Sequence, residues 1–173
     1  MTVYVALLRA VNVGGTGKLP MTELRAICEA AGFAKVRTYI ASGNVVFEAD
    51  RPEKIVKATL ERGLETYAGK PVGVIVRTGR EMAEVLEKNP FASAASNRTV
   101  AIFLDAPPSA DVLAGVTGRQ DEELVLGARE IYVHYVRGMG NSQLKVPAAK
   151  NGTARNMNTV AKLTEWATNP PIN

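Results

Sequence analysis

Short apolar runs alternate with amphipathic stretches along the chain, and their order repeats. In the first run Val3, Val5 and Leu7 alternate with Tyr4, Ala6 and Leu8. Both faces are therefore apolar, which predicts a central strand covered on each side. Arg9 closes it, and residues 11–20 read as loop. Met21, Leu24, Ile27, Cys28 and Ala31 then recur at helical spacing, with Gly32 as the stop. Residues 36–42 and 45–49 predict two strands joined by a two-residue turn at Gly43 and Asn44. Asp50, with Glu53 three residues on, predicts a capped helix whose inner face carries Val56, Leu60, Leu64 and Tyr67. Residues 71–77 supply another strand. The order βαββαβ is that of the ferredoxin-like split unit.

The pattern then recurs. Thr78 and Glu81 form a capping box ahead of Met82, Val85 and Leu86, and Asn89-Pro90 ends that helix. The small, polar stretch 90–97 is the best linker. A strand is predicted over 99–104, a short helix over 109–116, and a hairpin of 123–126 with 131–136 turning near Gly127. A long loop over 138–152 and a helix over 159–167, with Val160, Leu163 and Trp166 inside, complete the chain. The second half thus reads βαββα without a closing strand. The expected fold is α+β: two ferredoxin-like (βαββα) halves, residues 1–89 and 90–173, each an antiparallel sheet with helices on one face. Only the order of elements, and no repeat of residues, speaks for this doubling.

Composition narrows the class. Apolar residues make up 46% of 173, enough for a substantial core. No run approaches the roughly 18 apolar residues of a membrane helix. No basic stretch precedes the apolar run of the N-terminus, so no secretory leader is read there. Cys28 is the single cysteine, which fits a reducing, cytoplasmic setting. The net charge of +4 is concentrated at one end. Beyond residue 136 Arg137, Lys145, Lys150, Arg155 and Lys162 face only Glu165, and residues 137–158 form a basic loop free of acid.

Two segments carry candidate chemistry. The loop Asn12-Val13-Gly14-Gly15-Thr16-Gly17-Lys18 lies between a strand and a helix, where backbone N–H groups can hold an anion. It is neither a Walker loop nor a dinucleotide fingerprint. The bland alternative is a tight loop whose glycines let chain segments approach. Arg155 to Thr159 precedes the last helix, which Asn158 or Thr159 would cap. The planar fork of Arg155 suits phosphate or carboxylate, and pairing with a structural acid is the alternative. His134 is the only histidine and reads as structural; no thiol or histidine cluster suggests a metal or a cofactor. Tyr132 and Tyr135, near the basic loop, are the side chains that could stack bases.

The blocks ALLRAVNVGG, KLPMTELRAICEAAGF, TYIASGNVVF and TARNMNTVAKL together resemble the bacterial family called domain of unknown function 1697. The resemblance implies a pair of related α+β subdomains and no activity. It marks Arg9, Asn12, Gly14, Gly15, Ser42, Gly43, Asn44, Arg155, Asn156 and Asn158. Ala10 and Ala41 stand where the family pattern has Gly and Gln. The expected function is binding of a phosphorylated or other anionic small molecule, a nucleotide included, without catalysis. The expected site is Arg9, Asn12, Gly14, Gly15, Lys18, Arg155, Asn156 and Asn158. The alternatives are nucleic-acid binding by the same charges, or a transferase or hydrolase acting on a phosphorylated metabolite.

Overall fold

The computed structural model describes residues 1–9, 18–41 and 43–168. By contact the chain divides into Met1–Ala83 with Leu163–Asn173, and Glu84–Lys162.

The first unit is built on a four-stranded antiparallel sheet of β1 (Thr2–Leu8), β2 (Ala34–Tyr39), β3 (Asn44–Ala49) and β4 (Val74–Thr78). Their order is β2-β3-β1-β4, the ferredoxin-like arrangement. Helices α1 (Met21–Ala30) and α2 (Glu53–Ala68) cover one face. Their Leu24, Cys28, Val56, Leu60 and Leu64 pack on Tyr4, Ala6, Leu8, Val45 and Phe47. Gly32, at φ 88°, ends α1 as expected. The Phe33 N–H returns to the Cys28 carbonyl at 3.1 Å and the Gly32 N–H to the Glu29 carbonyl at 3.0 Å, a Schellman closure. That closure aims Phe33 into the core, where it stacks on Phe47 with centroids 4.4 Å apart.

Two local expectations are corrected here. α2 has no Asp50 cap; Pro52 precedes its first turn, and the Pro52 carbonyl accepts from the Ile55 and Val56 N–H groups at 3.0 and 3.1 Å. Proline's fixed φ suits this helix start without a side-chain acceptor. The β2–β3 turn is also longer than two residues. Tyr39 pairs with Asn44, which places Asn44 in β3 rather than in the turn. The buried Asn44 side chain donates to the Tyr39 carbonyl at 2.9 Å and closes the loop.

The second unit holds β5 (Thr99–Phe103), β6 (Glu123–Leu126), β7 (Glu130–His134) and β8 (Thr153–Asn156), in the order β6-β7-β5-β8. The same ferredoxin-like order therefore recurs, now with a closing strand that the sequence reading lacked. β8 has the sequence Thr-Ala-Arg-Asn, too short and polar to announce itself; pairing with β5 makes it a strand. The helix expected over 109–116 is a single 3-10 turn at Val112–Gly115. Another turn at Pro147–Asn151 interrupts the expected loop. Val112, Leu144, Val146 and Ala149 cover Val100, Ile102, Ile131 and Val133 in place of helices.

Helix α3 (Gly79–Glu87) follows β4, and α4 (Met157–Thr168) follows β8. The Thr78–Glu81 capping box forms in both directions, at 2.9 and 3.1 Å. In α4 the cap is Asn156, whose Oδ1 accepts the Thr159 N–H at 2.9 Å, not Asn158 or Thr159. Gly79 is needed where it stands, since a Cβ there would lie 2.8 Å from the Ala167 carbonyl oxygen.

Candidate functional site at the edge of the first sheet

Of the residues expected to bind an anion, Asn12, Gly14 and Gly15 lie outside the described residues, as does Ser42. Lys18 is exposed. Arg9 is half-buried; its N–H extends the β1–β4 ladder to the Gly73 carbonyl at 2.9 Å, and its side chain lies over Gly73. Both belong to the first unit, whereas Arg155, Asn156 and Asn158 belong to the second.

Arg155 lies in β8, not at a free helix end. It is 8% exposed, and its Nη1 donates to Thr153 Oγ1 at 2.6 Å and to the Ala154 carbonyl at 3.0 Å. Burial pulls its pKa down to about 10, because the apolar surroundings disfavour the charged form. Asn156 caps α4, and Asn158 Oδ1 accepts the Ser96 hydroxyl at 2.6 Å. Arg137, from the same basic stretch, pairs with Asp121 at 3.0 Å.

Tyr132 does not present a stacking face. It is buried, its hydroxyl donates to the Val85 carbonyl at 2.8 Å, and burial pushes its pKa up to about 12. Tyr135 is half-buried and packs on the core of the second sheet. His134 Nδ1 meets Thr99 Oγ1 at 3.1 Å, and its ring stacks on Phe91 at 5.5 Å. Among the described residues no group of three or more His, Cys, Asp or Glu is placed to hold a metal, and no helix is long and apolar enough to cross a membrane.

A groove of about 280 Å³ lies instead along the outer strand β2. Its origin is local. Between Ala34, opposite Glu48, and Arg37, opposite Val46, β2 carries one residue more than β3. This bulge, with Lys35 at φ 52°, lets Phe33 and Val36 both enter the core although they are three apart. It sends Arg37 to the sheet face opposite α1 and α2. There the Arg37 guanidinium lies 3.7 Å from the ring centroid of Trp166, which α4 supplies. Tyr39 meets the same indole edge-on, with centroids 5.4 Å apart and the planes at 79°.

The groove brings together three cations, Arg25, Lys35 and Arg37, and two carboxylates, Glu29 and Glu48. Arg25 pairs with Glu29 at 2.7 Å and Lys35 with Glu48 at 3.7 Å. Arg37 has no carboxylate within salt-bridge distance among the described residues; its contact is the indole face. Val3, Val36, Val46 and Phe47 supply the apolar lining. Sequence reasoning missed this site. A usable signal was present, because the three-residue spacing of Phe33 and Val36 breaks strand alternation and so marks a bulge.

Two antiparallel halves of like strand order, the first with a groove at its outer strand, define the class: a two-half α+β protein. The chain belongs to the family described as Protein of unknown function (DUF1697), whose sequence pattern matches residues 1–132. The late TARNMNTVAKL block lies beyond that match. The fold is similar to the solved structure of the conserved bacterial protein SP0830 from Streptococcus pneumoniae, with a TM-score of 0.81 and 25% identity over 96% of this chain and 98% of that one. No curated protein matches the chain.

Proposed function

We propose that the protein binds a small anionic ligand in the β2 groove, without catalysing its conversion. The observation that carries this reading is Arg37, held over Trp166 at the wall of a 280 Å³ groove with no carboxylate of the described residues within salt-bridge distance. A guanidinium offers a planar fork to carboxylate or phosphate, and an apolar lining with a few convergent polar groups is the usual make-up of a ligand site. The two carboxylates in the groove each sit against their own cation, which leaves one positive charge in excess.

The protein contains its own probe. Trp166 is the only tryptophan, so intrinsic fluorescence reports on this groove. Titration with nucleoside monophosphates, sugar phosphates and carboxylates should find at least one saturable change in Trp166 emission. Arg37→Ala should weaken that binding by about 1.5–3 kcal/mol, the worth of a hydrogen bond to a charged group. Equal affinity in the variant, or no response to any anion at low salt, would reject the groove.

A further inference from the structure

Resting on that reading, we infer that the ligand is a planar aromatic monoanion whose ring takes the place of Arg37 on the Trp166 face while Arg37 turns to its anionic group. Three observations lead to this class. First, the Trp166 indole gives the groove wall a large flat surface, and the Tyr39 ring packs against it at 79° to its plane. Its covered face is occupied by a guanidinium, itself flat, at 3.7 Å. A cation–π contact at a half-exposed site is among the weaker attractions of arginine, and a charge-assisted hydrogen bond to an anion is stronger. A ligand that supplies both an anion and a flat ring therefore replaces each half of the resting contact with a better one. An aliphatic anion recruits Arg37 but leaves the indole face bare.

Second, the charge count is low. Arg25 and Lys35 are set against Glu29 and Glu48, so a singly charged ligand balances the groove. Further negative charge would meet the two carboxylates. Third, the volume and the edge geometry favour a small molecule over a polypeptide. At about 280 Å³ the groove lies just below the usual range of ligand sites, about 300–1,000 Å³. The Lys35 bulge breaks the regular ladder on the outer edge of β2, which opposes addition of a further strand.

The test compares two carboxylates of equal charge, benzoate and cyclohexanecarboxylate, by calorimetric titration of the intact protein, with inorganic phosphate as the anion lacking any ring. Benzoate should bind about tenfold more tightly than cyclohexanecarboxylate, a difference of about 1.4 kcal/mol. Its ring protons should shift upfield in the NMR spectrum as they enter the indole's ring current. In Trp166→Leu the preference should fall below about threefold while cyclohexanecarboxylate keeps its affinity, which also shows that the variant is folded. Should that variant bind neither carboxylate, the upfield shift in the unaltered protein decides. Equal affinities for the two carboxylates in the unaltered protein, or no upfield shift, would overturn the aromatic assignment and leave anion binding intact. If benzoate, cyclohexanecarboxylate and phosphate all fail to bind, that result counts against the anion site itself.

Discussion

The two halves share a sheet and differ in what covers it. Each has four antiparallel strands in the same order, and the correspondence reaches single residues. Arg77 is the penultimate residue of β4 and sits opposite Val5; Arg155 is the penultimate residue of β8 and sits opposite Ala101. Both are buried, and in both Nη1 donates to the carbonyl of the preceding residue at 3.0 Å. The next residue caps the following helix, Thr78 in one half and Asn156 in the other. The cover is not shared. Two helices of 10 and 16 residues cover one face of the first sheet, whereas single turns and loop side chains pack on Val100, Ile102, Ile131 and Val133 of the second. The outer strands differ as well: β2 has a bulge, while β6 pairs with β7 in unbroken register. The strand order and the arginine-to-cap junction are thus common to both halves. The bulged outer strand, the groove beside it and the α1–α2 cover belong to the first half.

The largest expected effect is on packing. Leu60→Ala, on the inner face of the covering helix α2, should cost about 2–5 kcal/mol. Ile131→Ala, equally buried under loop residues, should fall at the low end of that range, because loops collapse more readily into a cavity. Denaturant titration of both variants checks this, and equal losses would mean that the cover makes no energetic difference. Next come the arginines. Arg77→Ala and Arg155→Ala should each cost about 1–3 kcal/mol, since each removes a buried guanidinium together with its hydrogen bond to the preceding carbonyl. A neutral result at one position alone would break the equivalence of the halves. Removing the caps should cost less, about 1 kcal/mol for Thr78→Ala and for Asn156→Ala.

The smallest effect is on pH dependence, and it concerns the first half alone. Burial pushes the Cys28 thiol up to about 12 from 9.0. Between these values the unfolded chain has lost a proton that the folded chain keeps, so stability falls as pH rises from 9. The stability difference between the protein and Cys28→Ala should therefore narrow by about 1 kcal/mol from pH 7 to pH 10. Native Cys28 should also react slowly with thiol reagents. Rapid labelling would mean that the α1 face opens more readily than its packing implies.

The arginine-to-cap junction also shows how legible each half was. The Thr78–Glu81 box is a short-range signal, complete within four residues, and the structure forms it as the sequence predicts. In the second half the sequence points to Asn158 or Thr159 as the cap, because nothing local marks residues 153–156 as a strand. Once β8 pairs with β5, the helix begins two residues earlier and Asn156 takes the role.

By itself the sequence determined whatever depends on neighbours along the chain. Alternating and helical periodicities named the four central and paired strands of the first half, Gly32 marked the end of α1, and shared periodicity with Leu24 and Ile27 placed Cys28 on the buried stripe. Tertiary structure alone decided the rest. β8 is a strand because β5 offers it a ladder, the segment 109–116 keeps only a 3-10 turn at Val112–Gly115, and Tyr132 is withdrawn from solvent by a carbonyl 47 residues away. The groove is the clearest instance. Arg37 and Trp166 are separated by most of the chain, and neither has a local pattern that points to the other. Their contact exists because a one-residue bulge rotates Arg37 onto the face where the last helix delivers its indole, a coincidence of register and packing that no periodicity encodes.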